Sequence, residues 1–165
     1  LIEPGVQLEL APNAQIDVLG EIQAMGTTAA PITVTHQQGV SAQTFLILRS
    51  MLPSRVAGMS IQHVNVPFQI LAGSPVIEDT VVNGAFNAIM MSGSSKPLIR
   101  NNAFTNASAS AMVLSEQAQP SLLGNQFIEN QPFHIQNSSS YAIKVTGNTF
   151  DPPASMMTIL GPVED

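Results

Sequence analysis

Four stretches of this chain repeat one pattern: an apolar residue, two spacers, a small polar residue, one spacer, and an aromatic or aliphatic residue. They begin at Ile77, Ile99, Leu122 and Val145, so the pattern returns at a nearly constant step. The polar column reads Thr80, Asn102, Asn125, Asn148 and the apolar column Val82, Phe104, Phe127, Phe150, while Pro75, Pro97 and Pro120 each stand two residues ahead of a leading residue. A second row follows within each unit, formed by Ile89 with Met91, Met112 with Leu114, Ile135 with Asn137, and Met157 with Ile159. Members of these pairs lie two apart, the spacing of side chains on one face of a strand. Two short strands and their turns fill the unit, and a helical-hairpin repeat needs about 33 residues or more. The Leu-x-x-Leu-x-Leu signature of leucine-rich repeats is absent.

A strand-only unit of this length cannot bury its apolar face alone, so successive units must stack as coils with equivalent residues about 4.8 Å apart. The expected fold is all-β, a parallel β-helix solenoid of roughly seven coils of about 22–23 residues. Thr80, Asn102, Asn125 and Asn148 then form a polar ladder at a sharp turn, where Asn tolerates left-handed backbone and its amide bonds the next coil. Phe104, Phe127 and Phe150 stack inside, with Val82 in their row. One β-helix domain is expected over 1–165, with regular ladder coils over 75–160 and irregular N-terminal coils over 1–74. Upstream, Met59 to Val64 reads as a shortened unit ahead of Ile77, and 37–44 and 49–57 read as loops leaving the solenoid.

Composition narrows the partners. Eleven carboxylates against five Lys and Arg give a net charge of −6, which repels a phosphate backbone and argues against nucleic acid. The absence of Cys removes disulfides and thiolate metal sites. Apolar runs such as Phe45 to Leu48 fall far short of the roughly 20 residues of a spanning helix, so no transmembrane segment is expected. Only 10% of residues are charged, which leaves Ser, Thr, Asn and Gln to wet the surface. A chain beginning at Leu1 reads as excised or processed.

The opening stretch, Ile2-Glu3-Pro4-Gly5-Val6 through Ile16-Asp17-Val18-Leu19-Gly20 to Pro31-Ile32-Thr33-Val34, resembles the first coils of bacterial exported β-helix proteins. The Asn-x-Phe units resemble repeats of the pectate-lyase-like superfamily. That resemblance implies a right-handed solenoid in an extracellular, cell-surface or periplasmic setting. It leaves the activity open among lyases, hydrolases, epimerases, tailspikes and inert scaffolds.

An enzyme on such a fold would gather carboxylates, a base and often calcium on one sheet. Glu78 and Asp79 are the one candidate acidic cluster outside the C-terminal tail, and the coil alignment sets Arg100 directly above Glu78. Adjacent strand residues point to opposite faces, so the expected role of Glu78 and Arg100 is a surface ion pair, worth about 0–1 kcal/mol. Arg49 follows a strand but lacks the acidic calcium ligands of pectate lyases. His36, His63 and His134 are widely separated along the chain, without metal-ligand spacing, and His134, preceding inward Ile135, is expected to face outward. Ser92, Ser115 and Ser138 recur just after the second strand and read as turn residues.

The function expected from these readings is a non-enzymatic structural or interaction module, needing no cofactor or metal, that meets a protein partner or neighbouring domain at a solenoid end. The alternatives are a carbohydrate-binding or carbohydrate-active β-helix, in which Glu78, Asp79 and Arg100 would be catalytic, calcium could take part and polysaccharide would be the partner, and a self-assembling cytoskeletal solenoid.

Overall fold

Short runs of alternating apolar and polar residues, broken by Gly, Asn and Pro, make strands too short to stand alone, and the chain solves this by pairing each strand with its counterpart one coil away. A computed structural model describes residues 1–36, 44–151 and 159–164. The strands among the described residues fall into seven coils of three. The first coil holds β1 (Gln7–Leu10), β2 (Ile16–Val18) and β3 (Gln23–Met25), and the second β4 (Ile32–His36), β5 (Thr44–Leu48) and β6 (Arg55–Ala57). The third has β7 (Met59–Gln62), β8 (Val66–Ile70) and β9 (Val76–Glu78); the fourth has β10 (Val81–Asn83), β11 (Asn87–Met91) and β12 (Leu98–Arg100). The fifth comprises β13 (Ala103–Thr105), β14 (Ser110–Glu116) and β15 (Ser121–Leu123), and the sixth β16 (Gln126–Ile128), β17 (Phe133–Ser139) and β18 (Ile143–Lys144). The last contributes β19 (Thr149–Asp151), β20 (Ile159–Leu160) and β21 (Val163–Glu164).

The first strands of all coils form sheet 1 in the order β1-β4-β7-β10-β13-β16-β19, and the second strands form sheet 2, β2-β5-β8-β11-β14-β17-β20. Sheet 3 joins the third strands from β3 to β15, whereas β18 and β21 pair separately. Every pairing among the described residues is parallel, and the expected all-β right-handed parallel β-helix is the fold observed, its seven rungs spanning six turns. Each coil carries three strands rather than two, because the ladder residue breaks the first expected strand into two short ones, as at β9 and β10.

The interior is built from continuous columns. In sheet 1 Leu8, Val34, Ile61, Val82, Phe104, Phe127 and Phe150 lie in register, one per coil. Phe104 and Phe127 have ring centroids 5.4 Å apart, and Phe127 and Phe150 stack at 4.9 Å with planes 8° apart. The second expected row holds through Ile89, Met112 and Ile135 and through Met91, Leu114 and Asn137. It shifts in the last coil: Ile159 pairs with Ile135, not with Asn137, and Met157 lies outside the described residues. Asn137 is buried, and its Nδ2 donates to the carbonyls of Tyr141 and Pro162 at 2.9 and 2.7 Å, which explains a polar residue at an inward position.

The ladder forms as expected. Backbone N–H groups of Thr80, Asn102 and Asn125 donate to Oδ1 of Asn102, Asn125 and Asn148 at 3.0, 3.1 and 2.9 Å. Each Asn Nδ2 reaches back to a carbonyl of the preceding coil, at Ile77, Ile99 and Leu122. The left-handed backbone, however, belongs to the residue before each ladder member, with φ of +50° at Asp79, +55° at Asn101, +64° at Gly124 and +81° at Gly147. The ladder residues fix the corner, and their neighbours turn it. Gly58 starts the same column at φ +61°, where a Cβ would lie 2.4 Å from the Gly26 carbonyl oxygen.

Two upstream expectations change. Val56, not Met59, stacks under Ile77, so the third coil is not shortened. Arg55–Ala57 is strand β6 rather than part of a loop, since Val56 supplies the inward residue that sheet 3 requires. Residues 37–43 of the other expected loop lie outside the described residues. Ser115 and Ser138 pair with each other inside β14 and β17, leaving only Ser92 beyond its strand.

Candidate functional site

Sheet 3 presents two outward rows, Gln23, Arg55, Val76, Leu98, Ser121 and Met25, Ala57, Glu78, Arg100, Leu123. Placing Glu78 between two arginines one coil to either side converts a surface position into a closed one. Arg100 Nε donates to Glu78 Oε2 at 2.6 Å, and the Arg55 guanidinium bonds Glu78 Oε1 through both Nε and a terminal nitrogen. The Glu78 side chain is 3% exposed while the Arg55 and Arg100 side chains are 47% and 42% exposed. Glu78 and Arg100 do meet, but the carboxylate is buried and is shared with Arg55 rather than held in a simple surface pair. Burial alone would push the Glu78 carboxyl upward; hydrogen bonds from Arg100 and Arg55, with their charges, outweigh it and hold the group below the ordinary carboxylate range. Its contribution to stability is therefore present above the ordinary carboxylate value of about 4.3 and is lost as pH falls through the lowered one.

Asp79 does not join this cluster. Its left-handed backbone carries it round the corner, where it is exposed and lines an open groove of about 720 Å³. The groove follows the turn column between sheets 3 and 1. Thr27 and Thr28 line it at one end and Gly124 and Gln126 at the other, with Ser60 and Asn101 between. Its chemistry is hydroxyl, amide and one carboxylate over a floor that includes Val81 and Ala103. Glu78 and Asp79, adjacent in sequence, thus serve different faces of the solenoid and do not converge on one reacting position.

The other candidates form contacts of their own. Arg49 Nε bonds Asp17 at 2.9 Å on the exposed side of sheet 2. Ring centroids of His36 and His63 lie 6.5 Å apart edge to face. Among the described residues no group of three or more His, Asp or Glu gathers as a metal site, and no helix is long and apolar enough to cross a membrane.

His134 overturns the expectation of an outward side chain: it is 1% exposed. Where the second to sixth coils enter sheet 2, two consecutive side chains are buried, as in Phe45 and Leu46, Ala88 and Ile89, Ala111 and Met112, and His134 and Ile135. Strict alternation fails at that bend. Arg55 and the His134 environment, with Asn130, are the groups that sequence reasoning missed. Gly58, two residues after Val56, was the available signal, since Gly124 and Gly147 stand two residues after Leu122 and Val145.

Residues 55–152 match the family model described as "Right handed beta helix region". No curated protein and no solved structure matches the chain.

Proposed function

The chain belongs to the right handed beta helix family, and on that premise we propose that it is a non-enzymatic structural or interaction module: a rigid spacer whose ends and corner groove dock other molecules. The observation that carries this reading is the occupation of Glu78. Both its oxygens are bonded by guanidiniums one coil away on either side, so the best-placed carboxylate of the sequence clamps three coils together. A general acid or base needs access to the proton it transfers. An exported setting and a protein partner or neighbouring domain at a solenoid end fit the neutral, weakly charged surface.

A second reading, carbohydrate binding, is favoured by the groove. Its hydroxyls and amides, with the Asp79 carboxylate, offer hydrogen bonds in rows about 4.8 Å apart, which suits a linear polyhydroxylated chain. The same experiment separates the two. Acidic and neutral polysaccharides are screened for binding and cleavage, with and without calcium, using the wild type, Glu78→Gln and Asp79→Asn. The scaffold reading expects no cleavage by any of the three, and a loss of about 1–3 kcal/mol of stability in Glu78→Gln, at the lower end because both arginine side chains are partly exposed. Polysaccharide binding lost only in Asp79→Asn would establish the second reading, and cleavage abolished by either substitution would overturn the non-enzymatic one.

A further inference from the structure

His134 occupies a buried column of sheet 2 that holds Ala88 and Ala111 one residue ahead of the paired positions Ile89, Met112 and Ile135. Its ring lies among aromatics, with centroids 6.2 Å from Phe127 and 5.7 Å from Phe150. Asn130 decides which nitrogen carries the proton. Asn130 Oδ1 accepts the Ala107 N–H at 2.9 Å, and its Nδ2 donates both to the Phe104 carbonyl at 2.9 Å and to His134 Nδ1 at 3.1 Å. Flipping the amide would forfeit both backbone bonds, so Nδ1 has to accept and the ring proton sits on Nε2. Nε2 is itself buried without a hydrogen-bond partner among the described residues.

We propose that His134 is an acid-operated latch on the C-terminal coils. A proton added at Nδ1 sets two donors against each other across the Asn130 contact. It also creates a buried cation whose second nitrogen has no acceptor among the described residues, and the packing of β16, β17 and β19 around the ring loosens in consequence. Burial lowers the ring's affinity for a proton, and the Asp151 carboxylate on β19 opposes this in part. The other described elements around the ring offer no compensating charge. β14, β16 and β20 present Ala111, Met112, Phe127 and Ile159, and Glu129 in the turn beside Asn130 is exposed. The sign follows from linkage: below the ordinary imidazole value of about 6.5 the unfolded chain binds a proton that the folded one refuses, so stability falls as pH drops from there toward the lowered folded value. Glu78 acts at lower pH, from the ordinary carboxylate value downward, so its effect is separate from that of His134.

The test is amide hydrogen exchange on the whole chain between pH 7.5 and 5.0, corrected for intrinsic rates, in the wild type and His134→Gln. Glutamine can accept from Asn130 through its carbonyl oxygen and does not titrate. Below pH 6.5 the wild-type amides of β16 and β17 are expected to lose protection by up to about tenfold per pH unit relative to the variant, the limit for one proton, while those of β4 and β5 stay parallel in the two proteins. Equal pH dependence in both proteins, or a loss spread evenly over all coils, would overturn the proposal. Should His134→Gln fail to fold, the imidazole nitrogen spectrum of the wild type decides. A neutral ring protonated at Nε2 persisting below pH 6.5 supports the latch, and a ring that titrates at 6.5 or above contradicts it.

Discussion

Phe127→Ala is expected to lower the unfolding free energy by about 3–5 kcal/mol. Phe127 is fully buried, stacks on Phe150 and contacts Phe104 and His134, so truncation removes apolar burial and ring contacts with three side chains and leaves a cavity in the column. A solenoid core has no second layer to collapse inward: each rung fills its own space between the rungs before and after it. Denaturant unfolding measures the cost. Phe86→Ala is the matched control, because Phe86 is 54% exposed, and its loss is expected to stay within about 0.5 kcal/mol. Similar costs for the two substitutions would mean that the Phe column does not hold the coils together.

Asn125→Ala follows, at about 2–4 kcal/mol, for a different reason. The side chain is fully buried and bonds four partner atoms. Oδ1 accepts from the backbone N–H and the Nδ2 of Asn102 at 3.1 and 3.0 Å; Nδ2 donates to the Ile99 carbonyl and to Asn148 Oδ1 at 2.8 and 2.9 Å. Alanine takes the acceptor from the buried Asn102 N–H and a donor from the Ile99 carbonyl, while Asn102 Nδ2 keeps the Ile77 carbonyl and Asn148 Oδ1 keeps the backbone N–H of residue 125; an unmade buried hydrogen bond costs more than a made one contributes. Gln126, on the exposed face of the same coil, provides the comparison, since Gln126→Ala removes neither a buried bond nor core packing. Denaturation midpoints that coincide for Asn125→Ala and Gln126→Ala would contradict the ladder's role.

The same two columns account for how much of this fold was legible beforehand. From Ile77 onward the coils keep a nearly constant step with no insertion in the ladder corner, so one alignment matches the Asn and Phe positions together. The period alone places Arg100 over Glu78. Arg55 stayed hidden because the coils before Val56 carry turns of other lengths, which makes Met59 look like the leading residue although Val56 is the one that pairs with Ile77. His134 stayed hidden because its position follows from a bend rather than from alternation. Adjacent His134 and Ile135 both enter the core where the chain turns into sheet 2, and a period of two cannot express that. Asp79 shows the opposite limit: the doublet with Glu78 is plain in sequence, yet a left-handed residue at the corner sends the two carboxylates to different faces. The groove lay outside sequence reasoning altogether, as it is lined by successive corners from Gly26 to Gln126.

All of this rests on one register, and the absence of Cys from the chain makes that register directly measurable. Ala103 and Gln126 are partners on β13 and β16 and sit on the outer face of sheet 1, whereas Ile128 lies two residues further along the same strand. Neighbouring strands are about 4.8 Å apart, within the span a disulfide bridges, and a two-residue offset takes the Cα atoms to about 8 Å, beyond it. Mild oxidation of the doubly substituted chain Ala103→Cys with Gln126→Cys is expected to close a disulfide within one chain, and Ala103→Cys with Ile128→Cys to remain reduced. Closure of the second pair in preference to the first would contradict the stacked parallel coils described here.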